Sequence, residues 1–202
     1  MMATSLNNKS TPRVLILGHS FVRRLRLDLL AHFDARAAIN FNLQGTARVY
    51  MHGVGGRTVP KLRKFDMGVI SNISPDIVIL EIGTNDLSNT PSEVVGSDIE
   101  DMVQQLISQY AVRAVVLCHV TPRATYQSSN FNERAQLLNH YTSVVLDPIK
   151  QAICWTHRGF ANPSITPFLP DGVHFNHMGQ YTLYRSYRGA IKHALAILEH
   201  CP

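Results

Sequence analysis

Residues 14–25 read VLILGHSFVRRL. Four apolar, mostly branched residues followed by glycine and a hydroxyl residue describe a strand that turns sharply into a helix. Ser20 stands at that turn, where two roles share one geometry: a nucleophile presented at a strand end, or a side chain that caps the helix. Outward from this segment, short apolar runs alternate with longer amphipathic ones. RVLIL (13–17) precedes a helical FVRRLRLDLLAHF (21–33), and ARVYM (47–51) is followed by DIVILEIG (76–83) and a helix through SEVVGSDIEDMVQQLISQY (92–110). RAVVLCHV (113–120) precedes a helix in NERAQLLNHYTSVVLDPIKQ (132–151), and a short strand around AICW (152–155) precedes a last helix across GQYTLYRSYRGAIKHALAILEH (179–200). The rhythm predicts an α/β fold, a mostly parallel five-stranded sheet covered by helices on both faces. In such sheets ligands gather at the carboxyl ends of the strands, so the loops after each strand are where chemistry is to be sought.

The chain has 202 residues, 45% of them hydrophobic and 16% charged, which is an ordinary globular composition of a size suited to one domain. That domain is expected over 13–200, behind a polar tail, MMATSLNNKSTP (1–12). The tail lacks the basic start, apolar middle and small-residue cleavage site of a signal peptide. Its doubled Met reads as an initiator placed ahead of an excised fragment. The apolar runs VLIL and IVIL fall far short of the roughly 20 residues that span a bilayer. Cys118, Cys154 and Cys201 are an odd count, two of them in apolar runs, and read as free thiols in a reducing, intracellular (cytoplasmic) compartment. A net charge of +5 is concentrated in Arg23, Arg24 and Arg26 and in Lys61, Arg63 and Lys64. These are either an anion-preferring surface or solvated helix faces; no C2H2 spacing or aromatic RNA-binding signature accompanies them.

Each strand-end loop admits a plain reading and a chemical one. Ser20 alone is explained by capping, and it lacks the G-x-S-x-G elbow of common α/β-hydrolases. Gly53, Gly55 and Gly56 permit positive φ, or clear space for a backbone N–H to approach a substrate. In GTND (83–86), Asn85 is turn chemistry, or a side-chain donor to a developing oxyanion. In DGVHFNHMG (171–179), Asp171 and His174 are spaced as an orienting carboxylate and a base, or Asn176 caps the final helix and His174 is surface. Taken together they are more specific: nucleophile, oxyanion donors, orienter and base each fall in a strand-end loop.

These blocks resemble the SGNH hydrolases, also called the GDSL esterase/lipase superfamily, from Val14 to the last helix. The resemblance implies a flavodoxin-like three-layer α/β/α sandwich with Ser20 as nucleophile, His174 as base and Asp171 as its orienter. Ser20, Gly56 and Asn85 would form the oxyanion hole. One departure is that the usual Gly-Asp-Ser is here Gly18-His19-Ser20. More narrowly, LILGHSFVRRL, EIGTNDLS and DGVHFNHMGQYTLYRSYRGAI resemble the esterase domain in the first open reading frame of LINE retrotransposons of the L2/CR1 kind, which implies self-association and nucleic-acid-binding segments outside this chain.

The expected reaction is two-step ester hydrolysis through an acyl-enzyme, without metal or cofactor, on a small or lipid-like substrate with a short acyl group such as acetyl. HVTPRATYQSSNF (119–131) and NPSITPFLP (162–170) are expected to wall the pocket, with Phe168 and Leu169 either lining an acyl site or packing the loop. Two rivals remain: a metal phosphoesterase using Asp171, His174 and His177, and a binding module for RNA, a membrane surface or self-association.

Overall fold

The computed structural model describes residues 10–124, 130–160 and 166–200. Five strands form one sheet: β1 (Arg13–Gly18), β2 (Arg48–Gly53), β3 (Ile77–Glu81), β4 (Ala114–Cys118) and β5 (Ala152–Trp155). Their order is β2-β1-β3-β4-β5, and every neighbouring pair is parallel. The order matches the flavodoxin-like doubly wound arrangement, and the expected α/β class and five-stranded sheet are both present.

Alternation along the strands divides the core in two. Val14, Ile16, Ile79 and Val116 face α1 (Ser20–His32), α2 (Ala35–Asn40) and α7 (His177–His200), burying Leu25, Leu29, Tyr187 and Ile191. Leu15, Leu17, Val78 and Leu80 face α3 (Val59–Phe65), α4 (Met67–Ile73), α5 (Ser92–Tyr110) and α6 (Phe131–Leu146), burying Leu62, Ile70, Val103 and Leu138. The helices therefore make the outer layers of a three-layer sandwich. Segments α2, α3 and α4 lie outside the sequence expectation. They are 6 or 7 residues long, too short to carry a helical period, and two of them start from a side-chain cap: Asp34 accepts from Arg36 and Ala37 N–H, and Thr58 from Lys61 N–H. Helix α6 ends at Leu146 rather than continuing to Gln151, because Pro148 has no N–H with which to extend the ladder. Most of the expected polar tail, residues 1–9, lies outside the described residues.

The central strands end side by side, and close backbone contact between them positions the turns at their carboxyl ends. A Cβ on Gly18 would overlap the carbonyl oxygen of Glu81 on the neighbouring strand, so only glycine lets β1 and β3 approach at this level. Gly18→Ala is expected to destabilise the protein by about 2 kcal/mol or more, by overpacking against backbone that cannot yield, read as a lowered urea midpoint with an unchanged m-value. An unchanged midpoint would contradict this packing.

Candidate active site

The turn after β1 separates the two roles that converge on Ser20. The N-cap of α1 is His19, not Ser20: the His19 Nδ1 accepts from the Phe21 N–H (3.3 Å). Ser20 is the first helical residue, and its Oγ lies 3.3 Å from His174 Nε2. Histidine is not among the usual caps, so the sequence directed the capping question to the wrong residue. His19 is buried beside Glu81, its Nε2 3.7 Å from Glu81 Oε1. With Nδ1 accepting, the ring proton sits on Nε2 and faces that carboxylate. Burial pulls the His19 pKa down to about 4, although Glu81 pulls the other way.

Glu81 is itself buried and fully engaged. His157 Nε2 approaches Glu81 Oε2 at 2.8 Å, the Tyr187 hydroxyl donates to the same oxygen at 2.7 Å, and Ser186 Oγ lies 2.8 Å from His157 Nδ1. Burial alone would raise the Glu81 pKa, but the His157 imidazole overrides it and holds the carboxyl below its ordinary value.

The remaining candidates arrive from the loop before α7. His174 Nδ1 is 2.7 Å from Asp171 Oδ2, while Asp171 Oδ1 accepts from the backbone N–H groups of Val173 (2.9 Å) and His174 (2.8 Å). Loss of water, the largest single influence, would raise the Asp171 pKa, but the hydrogen bonds from the His174 N–H, the His174 ring and the Val173 N–H together outweigh it and hold the pKa near 2. Asn176 caps α7 through the Gly179 N–H (3.0 Å) and also donates to the Thr166 carbonyl (2.7 Å). The capping reading of Asn176 and the placement of His174 beside Ser20 therefore hold together.

On the other side, Gly55, Gly56 and Asn85 join Ser20 and His174 around a cleft of about 520 Å³. Gly56 has φ +70°, a conformation that favours glycine. Asn85 Nδ2 donates to the Arg57 carbonyl (2.8 Å), which leaves its second amide hydrogen for a ligand. Arg57 is held by Asp66, with Nε to Oδ2 at 2.6 Å and Nη2 to Oδ1 at 3.1 Å. Asp86 Oδ1 accepts from the Val59 N–H (2.9 Å), tying the GTND turn to the start of α3, and burial raises the Asp86 pKa to about 6.

All five candidate residues, Ser20, Gly56, Asn85, Asp171 and His174, thus converge. Arg57, Asp66, Asp86, Glu81 and His157 support them and escaped the sequence reading. Other readings that the sequence left open are narrowed. Phe168 packs on Phe175, ring centroids 5.4 Å apart, and neither Phe168 nor Leu169 lines the cleft, whose apolar wall is Phe21, Leu27 and Val173. Of the expected pocket walls, 125–129 and 161–165 lie outside the described residues. Asp171, His174 and His177 do not gather as metal ligands among the described residues: His177 Nδ1 turns to Asp28, 3.1 Å away.

Comparison with known proteins decides the family. Residues 17–181 match the GDSL-like Lipase/Acylhydrolase family. The chain belongs to this family. It is similar to the platelet-activating factor acetylhydrolase IB subunit alpha2 of Homo sapiens, 29% identical over 115 residues, a match that covers 55% of this chain and 45% of that protein. The chain thus matches less than half the length of this curated relative. Among solved structures, a putative acylhydrolase from Bacteroides fragilis superimposes with TM-score 0.69 at 22% identity, covering 93% of this chain and 90% of that one. An acetylxylan esterase from Geobacillus stearothermophilus superimposes with TM-score 0.65 at 14% identity, covering 87% and 92%. At these identities the structures establish the fold.

Because His19 is neutral in the folded protein down to about pH 4 but takes a proton near pH 6.5 once unfolded, the unfolded state binds more protons between these values. Its contribution to stability is therefore complete above about pH 6.5 and falls away as the pH drops towards 4, by an amount on the order of 3 kcal/mol. Thermal unfolding across this range is expected to lose midpoint more steeply in the wild type than in His19→Asn, which keeps a capping oxygen. Equal slopes would contradict the burial of a neutral imidazole.

Proposed function

We propose that the chain is a serine esterase in which Ser20 is the nucleophile, His174 the base and Asp171 its orienter, acting on short-chain acyl esters such as acetyl esters. The observation that carries this is the hydrogen-bonded row Asp171–His174–Ser20, which opens onto a cleft shared with Gly56 and Asn85. His174 accepts the Ser20 proton as Oγ attacks the ester carbonyl. The negative oxygen that forms is held by the N–H groups of Ser20 and Gly56 and by the free amide hydrogen of Asn85. The N-terminus of α1 adds its positive end at the same place. Collapse of the intermediate expels the alcohol, which takes the proton from His174. A water then repeats the sequence on the acyl-enzyme and releases the acid.

The short acyl preference is supported by relatives whose names specify acetyl groups: platelet-activating factor acetylhydrolase and acetylxylan esterase. The narrower likeness to retrotransposon esterase domains rests on the quoted sequence blocks and, in this reading, adds self-association and nucleic-acid binding through segments outside the chain. An intracellular location is part of the same proposal, supported by the unpaired thiols of Cys118 and Cys154.

Hydrolysis of p-nitrophenyl acetate tests the assignment. Ser20→Ala and His174→Ala are expected to reduce kcat by about three orders of magnitude or more, with no effect of EDTA on the wild type. Asp171→Asn is expected to lose only about one to two orders, since the Asp171 side chain is 46% exposed and water moderates its field on the imidazole. Equal rates for wild type and Ser20→Ala, or loss of activity to EDTA, would overturn the proposal.

A further inference from the structure

Among the described residues, the candidate cleft is lined by cations and by no acid. Arg23 and Arg24, exposed on the first two turns of α1, flank Ser20 on one side, and Arg123, from the loop after β4, stands with Thr84 and Asn85 on the other. Neither Asp nor Glu occurs in this lining, and the sequence of 125–129 and 161–165 contains none. Asp171 is engaged by His174 behind the catalytic row.

Arg123 is fixed in place. The Asn132 side chain accepts from its backbone N–H (2.9 Å) and donates to its carbonyl (3.1 Å). The guanidinium carbon lies 3.8 Å from the centroid of the Phe131 ring, and Nη2 donates to the Thr84 carbonyl (3.1 Å) and approaches its hydroxyl (3.3 Å). Nε is enclosed without a partner among the described residues. No carboxylate among the described residues pairs with this cation, and its loss of water pulls the guanidinium pKa below the ordinary value. A half-buried charge that the fold leaves uncompensated is costly, so such groups are commonly balanced by a ligand. Its hydrogen bonds to Thr84 place this one next in sequence to the candidate oxyanion donor Asn85.

We infer that the cleft selects esters bearing an anionic group, a carboxylate or phosphate near the scissile bond, bound by Arg123 through charge-assisted hydrogen bonds and drawn in by Arg23 and Arg24. The choice of an ester rests on the serine-esterase reading; the preference for an anion rests on the arginines alone.

Two matched pairs of probes test it. 4-Acetoxybenzoate against its methyl ester places the charge on the leaving group, and mono-4-nitrophenyl adipate against its methyl ester places it on the acyl chain. In at least one pair, wild-type kcat/KM for the anion is expected to exceed that for the neutral ester by about tenfold or more. That ratio should fall at least fivefold in Arg123→Gln, fall less in Arg23→Gln/Arg24→Gln, and narrow in about 0.5 M salt. A purely structural Arg123 would lower both rates together and leave the ratio unmoved. Calorimetry on Ser20→Ala, which leaves the His19 cap and the three arginines in the sequence, separates the two layers: the anionic probe of the favoured pair should bind about tenfold tighter than its methyl ester. Equal affinities, or wild-type ratios near one in both pairs, overturn the anion inference. Wild-type turnover no faster than that of Ser20→Ala overturns the esterase reading, while the affinities still decide the inference.

Discussion

A buried carboxylate beneath the nucleophile turn is the constraint on which the arrangement depends. The Glu81 carbonyl accepts the His19 N–H (3.3 Å), and its side chain, met by His157 and Tyr187, faces the His19 ring. A charge removed from water costs several kcal/mol unless it is well paired, so the end of β3, the loop after β5, helix α7 and the first turn of α1 are held to one another by the need to satisfy Glu81. The residue before Ser20 is part of that settlement. The aspartate usual in the family's Gly-Asp-Ser would bring a second carboxylate against Glu81, whereas His19 offers a neutral ring whose N–H faces it. The departure from the family motif and the acid in the third strand are two sides of one local charge balance.

The outer half of the site is organised differently. Asp171 is partly open to solvent and is fixed by backbone N–H groups of its own turn rather than by burial. Its effect on His174 is therefore mainly one of orientation. On the oxyanion side, Asp66 grips Arg57, the Arg57 carbonyl grips Asn85, and Asp86 secures the start of α3. The glycine-bearing loop after β2 and the turn after β3 are thus hydrogen-bonded to one another, which is what the proposed set of oxyanion donors requires.

Much of this was legible in the sequence, for a physical reason. Strands buried on both faces read as uninterrupted branched runs, and VLIL, IVIL and RAVVL marked β1, β3 and β4. The five candidate residues were visible because each lies at the start of a helix or in a loop that follows a strand or precedes a helix, where few residue types serve. Helices α2 to α4 were not visible, since at 6 or 7 residues they are too short to show a periodic face, and only α2 and α3 start from a side-chain cap. The supporting groups were hidden by distance along the chain: Glu81 meets His157 across 76 residues and Arg123 meets Thr84 across 39. A signal was available for Glu81, a charged residue inside the apolar run DIVILEIG, which a buried strand tolerates only with a partner. No such signal distinguished His19 as the cap, because histidine rarely takes that role.

Covalent labelling tests the central claim, that Ser20 is a nucleophile activated by His174. An organophosphonate ester reagent is mixed with wild type and with His174→Ala, and the modified residue is located by peptide mass spectrometry. A single adduct on Ser20 is expected, formed at least a hundredfold more slowly in His174→Ala, about the loss expected for removal of a general base. Modification at another residue, or equal labelling rates in the two proteins, would contradict it.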